Sequence, residues 1–371
     1  MIKIAAVTST RADFGLLSSL LKALRDDADF DLRLIVTGTH LSAKHGMTVN
    51  EILDDGFSVD SKIKINLSDD TPVALTMSIA DLTQKIAHSF ETIKPDAIII
   101  LGDRFEMLPI AYTATMQGIA IIHIHGGEIT LGAIDNKMRF AISHLADLHL
   151  TATKKSRQRL IDNGICHKHV VFTGAIGVEN ALNLTKLSRQ KIEAKTGWQF
   201  LDKNILFTFH PETLSDIKAE DQINVVLDAL SNFRSAAKFI SMPNADPGNQ
   251  AVAQRLIAFS NKETNVHITQ NLGHTLYLSM MNEVDVVVGN SSSGIIEAPA
   301  LGVATVNIGG RQSGREQANS IIDCSFDAGD IRNSIDKAFL KGKVSALLDH
   351  PYYRRGTCNA MVSAIRGFFP C

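Results

Sequence analysis

The residues best suited to acid–base chemistry directly follow short apolar segments in the first half of the chain. They comprise an arginine, a histidine and three carboxylates: Asp103, Arg104, His125, Glu128 and Asp135. Carboxylates gathered in a partly dry site have their pKa values pushed apart, which general acid–base catalysis requires. The set therefore predicts proton transfer on a bound substrate, although Asp135, at the expected start of a helix, could simply cap that helix.

The second half contains a turn of small residues between an apolar segment and a helix-like segment. The turn residues are Ser291, Ser292, Ser293 and Gly294. Backbone N–H groups, hydroxyls and the helix dipole would converge there on a spot the size of an anion. We predict that this turn binds a phosphate or diphosphate. Arg311, which comes after the next strand, could add a guanidinium to the same anion.

Further polar turns follow other predicted strands. Arg11 follows the first strand and suits a phosphate, although the turn could also be a solvated helix cap in which Asp13 stabilises the helix N-terminus. His210 lies at the end of a strand that Pro211 terminates, and Asn244 comes after the strand that follows. Polar residues placed after buried strands are typical of ligand-binding loops.

A pair of histidines, His123 and His125, closes one predicted strand. Alternation along the strand would place both rings on one face. A metal site would need more ligands, and the nearby candidates are Glu128 and Asp135. We therefore favour a hydrogen-bonded or substrate-facing pair over a metal site. The two glycines after His125 would let the backbone approach a ligand closely.

Segments rich in Ile and Val alternate with helix-period segments along nearly the whole chain. In the first half the predicted strands are Ile2–Thr8, Leu32–Thr37, Ala97–Leu101, Ile119–Ile124, Leu148–Ala152 and Val170–Phe172. In the second half they are Ile205–Phe209, Lys238–Met242, Val266–Thr269, Val284–Val288 and Ala304–Ile308. Continuous apolar strands separated by helices predict parallel sheets covered on both faces, the doubly wound α/β class.

This alternation predicts two Rossmann-like domains, residues 1–180 and 181–350, which face each other across a cleft. The first domain would carry the acid–base residues and the second the anion-binding turn. A helix within residues 351–371 would pack back on the first domain. Because ligands of open α/β sheets bind outside the carboxyl ends of the strands, the polar turns should line that cleft.

Composition narrows the functional classes. Of the 371 residues, 45% are hydrophobic and 20% are charged, as in an ordinary globular protein. A net charge of −2 argues against nucleic-acid binding, which needs a basic surface. The four cysteines form no CxxC pair, and the N-terminal apolar segment is too short for a signal peptide or membrane span. We expect a cytoplasmic protein without a membrane partner.

Familiar cofactor motifs are absent, and a different family resemblance emerges. The sequence lacks GxGxxG after its first strand, a P-loop motif and HExxH. Instead TSTRADFG, GDRFE, HIHGGE, FHPETLS, GNSSSGIIEAP and NIGGRQSGRE occur in this order over nearly the whole chain. The ordered set resembles the hydrolysing UDP-N-acetylglucosamine 2-epimerases, in particular the bacterial sialic-acid-pathway branch called NeuC.

The resemblance implies a fold, an activity and a set of partners. The fold would be the glycosyltransferase-B arrangement, with no metal, no nicotinamide and no other cofactor. The enzyme would be a homodimer or homotetramer that converts UDP-N-acetylglucosamine and water to N-acetylmannosamine and UDP. The chemistry implied is anti elimination of UDP to a 2-acetamidoglucal, followed by hydration.

The resemblance also implies residue roles. The nucleotide would be held by Arg11, Asp13, His210, Asn244, Ser291, Ser292, Ser293, Gly294, Glu297 and Arg311. Asp103, Arg104 and Asp135 would serve the sugar. Many relatives have Glu where this chain has His125, so either His125 or Glu128 would take over that proton transfer.

Three other functions fit parts of the pattern. UDP-N,N′-diacetylbacillosamine could replace UDP-N-acetylglucosamine as the substrate of the same reaction. A glycosyltransferase of the same architecture would need an acceptor groove, whereas the acidic residues around Asp103 and Asp135 favour elimination. A catalytically inactive UDP-sugar sensor would not need the acidic set that is present here.

Overall fold

The computed structural model describes residues 1–69, 71–243, 248–270, 272–343 and 347–369. The chain divides into two compact units. The first unit comprises Met1–Glu128, Ile134–Asn180 and Arg354–Cys371. The second unit comprises Ile129–Ala133 and Ala181–Tyr353. Within the described ranges no helix is long and apolar enough to cross a membrane.

The first unit is built around one parallel sheet. Its strands are β1 (Ile2–Thr8), β2 (Phe30–Val36), β3 (Ser61–Lys62), β4 (Ala97–Leu101), β5 (Ala120–Ile124), β6 (Leu148–Thr151) and β7 (Val170–Phe172). They lie in the order β3-β2-β1-β4-β5-β6-β7, and every pair is parallel. The strand order reverses between β1 and β4, which is where doubly wound sheets usually bind ligands.

Helices connect these strands. They are α1 (Arg11–Arg25), α2 (Val49–Asp54), α3 (Pro72–Ile93), α4 (Met107–Met116), α5 (Asp135–Leu145), α6 (Lys154–Asp162) and α7 (Ile176–Asn183). The central strand β1 is buried on both faces, because Ile4 and Ala6 belong to one apolar cluster and Ala5 and Val7 to another. This two-sided burial explains the continuous apolar strands in the sequence.

The second unit repeats the plan with six parallel strands. Its elements are α8 (Arg189–Thr196), β8 (Lys203–Thr208), α9 (Ala219–Ser231), β9 (Ala236–Ser241), α10 (Asn249–Ser260), β10 (Val266–Thr269), α11 (Gly273–Glu283), β11 (Val286–Gly289), α12 (Ser292–Ala300), β12 (Ala304–Ile308), β13 (Ile321–Cys324) and α13 (Ala328–Lys341). The strand order is β10-β9-β8-β11-β12-β13, so this sheet reverses between β8 and β11.

The last helix, α14 (Thr357–Phe368), lies in the first unit. Met361 and Ile365 are buried in the same apolar cluster as the core of α1. Arg366 pairs with Asp27 and with Asp29, 2.9 Å from the latter carboxylate. Helix α14 therefore packs on α1 as part of the first unit.

Candidate active site

The loops after β4 and β5 are tied together where the two strands end side by side. The backbone N–H of Gly102 donates to the carbonyl oxygen of Ile124 at 2.9 Å. The Nε2 atom of His123 lies 2.7 Å from the carbonyl oxygen of Gly102. Asp103 and Arg104 follow Gly102 directly. The N–H and the carbonyl of Gly102 thus attach the start of the predicted acid–base loop to β5.

Asp103 forms an ion pair with Arg139, which projects from α5. The Arg139 side chain is only 2% exposed, and its second contact is a hydrogen bond of 2.9 Å to the carbonyl oxygen of Glu128. One guanidinium thus joins the loop after β4 to the loop after β5. No role was predicted for Arg139 from the sequence, although its spacing of four residues from Asp135 places both on one helix face.

Arg104 is held by a carboxylate that the sequence analysis also left without a role. Both side-chain oxygens of Glu106 accept hydrogen bonds from Arg104, each at 3.2 Å. Burial raises the pKa of Glu106, and the nearby charge of Arg104 opposes that rise. A bidentate pair fixes the guanidinium plane, which would orient Arg104 toward an anionic or carbonyl group of a substrate.

His123 is a buried structural residue in a neutral state. Its Nε2 faces the Gly102 carbonyl and must donate, so Nδ1 accepts from the hydroxyl of Ser143 at 3.2 Å. Burial lowers the pKa of His123 to about 3. Both ring nitrogens are engaged within the protein, and no group of three or more potential metal ligands occurs among the described residues.

His125 does not continue the strand. β5 ends at Ile124, and His125 has a φ of 65°, in the left-handed region that few non-glycine residues adopt. The expectation that His123 and His125 share one strand face is therefore wrong, because alternation holds only for extended backbone. His125 is buried, and its N–H donates to the carbonyl oxygen of Leu150.

The two glycines after His125 are required by contacts within the protein. A Cβ at Gly126 would lie 2.9 Å from both His123 Nδ1 and Ser143 Oγ, and one at Gly127 would lie 2.5 Å from the Ser156 carbonyl oxygen. Contacts within the protein therefore explain both glycines without the close approach of a ligand that the sequence suggested. Their small size keeps this loop packed on α5 and α6.

Glu128 and Asp135 flank a short segment that belongs to the second unit. Glu128 is buried, and Asp135 is half-buried in the first turn of α5. Between them, Ile129–Ala133 pairs with the loop after β12, where the N–H of Leu131 donates to the Ser313 carbonyl oxygen at 3.0 Å. Glu128 therefore directly precedes, and Asp135 closely follows, a segment that belongs to the second unit.

Asp13 stabilises its own turn. Its carboxylate accepts hydrogen bonds from the N–H groups of Ser9 and Thr10 at 3.0 and 3.1 Å and from the hydroxyl of Thr8. Burial favours a higher pKa for Asp13, but nearby His40 and these donors lower it overall. These contacts assign Asp13 to supporting the turn that carries Arg11, at the start of α1.

The serine turn opens α12 directly after β11. Gly289 has a φ of 135°, and a Cβ there would overlap the carbonyl oxygen of Thr208. Ser291 occupies the N-cap position without capping the helix through its side chain. The hydroxyl of Ser293 lies 3.3 Å from that of Ser291 and 2.5 Å from that of Tyr277. Ser292 is the first residue of α12, and Gly294 packs against β12.

Arg311 reaches this turn. Its Nη1 donates to the carbonyl oxygen of Asn290 at 3.2 Å, and the buried amide of Gln312 donates to the same oxygen at 2.8 Å. The backbone N–H of Arg311 donates to Glu212 at 2.8 Å. Burial raises the pKa of Glu212, and hydrogen bonds from the backbone N–H groups of Arg311 and Gly310 oppose the rise. The structure thus brings the guanidinium and the serine turn together.

His210 and Glu297, two further predicted nucleotide residues, lie in the second unit, whereas Arg11 begins α1 in the first unit. The side chain of Asn290 holds the backbone of His210 through two hydrogen bonds of 2.8 Å. Both His210 and Glu297 are buried, and Glu297 lies on α12. Asn244 lies outside the described residues. Asn290 and Gln312 were not selected from the sequence. The Asn290 side chain holds the backbone of His210, and the Gln312 side chain holds the carbonyl of Asn290.

Comparison with known proteins identifies the family. The family model described as UDP-N-acetylglucosamine 2-epimerase matches residues 22–366. The chain belongs to this family. It is therefore an enzyme of the UDP-N-acetylglucosamine 2-epimerase family, and the resemblance stated from the ordered motifs is confirmed.

Two relatives of this epimerase are similar over most of their length. The polysialic acid biosynthesis protein P7 of Escherichia coli is 36% identical over 99% of this chain and 93% of its own. The GDP/UDP-N,N′-diacetylbacillosamine 2-epimerase (hydrolyzing) of Campylobacter jejuni is 35% identical over 91% of this chain and 87% of its own. Both names describe those proteins.

Solved epimerases share the fold. The UDP-GlcNAc 2-epimerase from Neisseria meningitidis, bound to UDP-GlcNAc, has a TM-score of 0.81 at 17% identity and covers 99% of this chain and 100% of its own. The enzyme from Methanocaldococcus jannaschii has a TM-score of 0.83 at 16% identity over the same shares. The predicted class, two parallel-sheet Rossmann-like units of the glycosyltransferase-B type, is confirmed.

Proposed function

We propose that this epimerase is hydrolytic and converts UDP-N-acetylglucosamine and water to N-acetylmannosamine and UDP. One observation carries the proposal. In a member of this family, Asp103, Arg104 and Glu128 follow the adjacent strands β4 and β5, where hydrogen bonds and the Arg139 bridge hold their loops together. Such a set supplies the base, the acid and the cation that elimination and hydration of a sugar require.

The first step would be anti elimination. A carboxylate removes the proton from C2 of the sugar while the C1–oxygen bond breaks, and the electron pair of that bond leaves with UDP. We assign the proton acceptor to the set formed by Asp103, Glu128 and Asp135, because these carboxylates lie beside β4, β5 and the start of α5. The product is a 2-acetamidoglucal with a double bond between C1 and C2.

The second step would be hydration of the C1–C2 double bond, with the proton delivered to the other face of C2. The hydroxyl of water adds to C1 while a base takes the other proton of the water. A protonated group then returns a proton to C2 on the face opposite to the one from which the first proton was removed, which inverts that centre. We assign this acid to His125 or Glu128, both buried in the loop after β5. His125 occupies the position where many relatives carry Glu, so one of the two residues must replace it.

UDP would be stabilised as it leaves by the serine turn of the second unit. Helix α12 offers the N–H groups of its first turn, and Arg311 lies against the carbonyl of Asn290 at the same turn. A cation and oriented N–H groups stabilise the negative charge that develops on the diphosphate. We further propose that Arg11, His210 and Glu297 hold the nucleotide.

Proton NMR of the purified enzyme with UDP-N-acetylglucosamine in D2O tests this proposal. We expect free UDP and N-acetylmannosamine that carries deuterium at C2, because the abstracted proton exchanges with solvent before it is returned. UDP release without a 2-acetamido sugar of the manno configuration would contradict 2-epimerisation. Product that retains hydrogen at C2 would contradict elimination with solvent exchange.

UDP-N,N′-diacetylbacillosamine is a second candidate substrate. The observation that favours it is the pair of relatives, 35% and 34% identical, that are named as epimerases of this sugar. The two sugars differ at C4, where one has a hydroxyl and the other an acetamido group, and at C6, where only N-acetylglucosamine has a hydroxyl. The ratio of kcat/KM for the two UDP-sugars therefore separates the candidates. A ratio of about 10³ or more, which exceeds what an apolar pocket gains from one small group, would identify the substrate.

A further inference from the structure

We infer that Arg139 is a positioning residue for the acid–base chemistry, which aligns the carboxylate of Asp103 with the loop that carries Glu128. The inference rests on the proposed function, because it assigns a role within that reaction. Nothing in the motifs that define the family resemblance selects this arginine. Its importance comes from contacts that cross from α5 to the ends of two strands.

The charge of Arg139 is buried. The side chain of Arg139 is 2% exposed, whereas that of Asp103 is 19% exposed. A buried guanidinium is costly unless it is paired, and removing either partner of such a pair leaves an uncompensated charge. The Arg139–Asp103 pair therefore fixes where the Asp103 carboxylate can lie.

Arg139 also bridges to the neighbouring loop. The same guanidinium donates to the carbonyl oxygen of Glu128 at 2.9 Å. The planar fork of arginine allows both contacts at once, which the single ammonium of lysine reproduces poorly. Arg139 thus sets the distance between two loops, each of which carries a candidate acid or base.

Helix α5 is itself anchored. Asp135, Arg139 and Ser143 are spaced four residues apart and lie on one face of α5. Ser143 contacts His123 at 3.2 Å, and His123 contacts the carbonyl of Gly102, which precedes Asp103. Buried Ile142 holds the helix in the core. One face of α5 therefore contacts both loops at fixed points.

Steady-state kinetics of UDP release tests the inference. For Arg139→Gln we expect kcat to fall by about 10²-fold, as for a catalytic group displaced by about 1 Å, while UDP affinity measured by calorimetry stays unchanged. Guanidinium chloride at millimolar concentration should restore part of the lost kcat, whereas a merely structural defect would not respond. Arg139→Lys, which keeps the charge, is the second variant and should show an intermediate kcat.

Arg159→Gln is the matched control. Arg159 also gives its guanidinium to a carbonyl of this loop, that of Gly127, but from α6. We expect its kcat to exceed that of Arg139→Gln by at least about tenfold, because no described contact joins it to a candidate catalytic carboxylate. Equal losses in the two variants would show that any loosening of the loop suffices, and would overturn the inference.

A double-mutant cycle with Asp103→Asn separates this inference from the proposed function. If Arg139 acts through Asp103, adding Arg139→Gln to Asp103→Asn should cause little further loss of kcat. Multiplicative losses would overturn the positioning role. Absence of UDP release from the wild-type enzyme would instead refute the proposed function. The pairing would then be judged by thermal unfolding of the same four proteins, where additive shifts in Tm would contradict it.

Discussion

Asp103 offers the sharpest test at the scale of single residues. Asp103→Asn keeps the size of the side chain and its capacity to accept a hydrogen bond, but removes the proton-accepting charge. We expect kcat to fall by about 10²–10⁴-fold with little change in UDP affinity, the usual effect of losing a general acid or base. Steady-state UDP release and calorimetry measure the two quantities, and near-wild-type kcat would remove Asp103 from the chemistry.

His125 and Glu128 compete for one role, and a paired comparison decides between them. His125→Gln and Glu128→Gln each remove a titratable group while preserving size. We expect unequal losses of kcat in the two variants. The variant with the larger loss, of about 10²-fold or more, identifies the residue that replaces the usual Glu. Losses that are equal and small, below about tenfold, would exclude both from proton transfer.

His123 makes stability depend on pH. Its pKa is lowered from 6.5 to about 3 by burial, so between these values the unfolded chain binds a proton that the folded chain does not. Stability should therefore fall as pH drops below 6.5, by about 1.4 kcal/mol per pH unit, and level off near pH 3. Thermal unfolding measured from pH 7 to 4 should show this decline.

His123→Gln provides the matched variant, because glutamine does not titrate and can still donate to the Gly102 carbonyl. It should reduce the pH dependence. A remainder is expected from other histidines whose pKa burial lowers, among them His149, lowered to about 4, and His350. His88→Gln is the control, since the side chain of His88 is 84% exposed. An unchanged slope in His123→Gln would contradict the assignment of a neutral buried imidazole.

The sequence identified residues that follow strands but not the residues that hold them. Asp103 and Arg311 were selected because each directly follows a buried strand. Arg139 and Glu106 were missed because their importance depends on partners that only the folded chain brings into contact. His125 was misplaced because the alternation of strand faces was extended to it, whereas it lies beyond the end of β5 in left-handed backbone.

At the scale of elements, periodicity predicted the long buried strands well. The predicted Ile2–Thr8, Ala97–Leu101 and Ala304–Ile308 coincide with β1, β4 and β12. β3 and β13 were missed, since β3 has two residues and β13 includes the polar Asp323. Edge position alone does not explain these two misses, because the edge strands β7 and β10 were predicted with their exact bounds. A short or polar segment gives too weak an apolar signal.

The serine turn and Arg311 act as one element in our proposal. Arg311→Ala removes the guanidinium that lies at the start of α12. We expect UDP binding to weaken by about 1.5–3 kcal/mol, which is typical of a lost hydrogen bond to a charged group. Calorimetry with UDP measures the effect, and Arg255→Ala is the control because Arg255 forms an exposed pair with Glu220 in the same unit. Unchanged affinity in Arg311→Ala would remove it from the anion site.

At the scale of the whole molecule, the sequence indicated two α/β units but not the path of the chain between them. Ile129–Ala133 belongs to the second unit, although it lies between Glu128 and Ile134 of the first. Gly132 shows why: a Cβ there would lie 2.7 Å from the Cα of Arg311. Such close packing depends on a distant loop, and no local pattern of residues predicts it.

Metal removal tests the chemistry of the whole enzyme. We expect UDP release to continue unchanged after dialysis against EDTA, because the nitrogens of His123 contact Gly102 and Ser143 rather than pointing to a shared site. A catalytic metal needs about three protein ligands with open coordination, and the described residues offer no such group. Activity measured before and after chelation, with zinc and manganese added back separately, decides the matter. Loss of turnover that one of these ions restores would assign the acid–base role to a metal-bound water instead of to Asp103 and its neighbours.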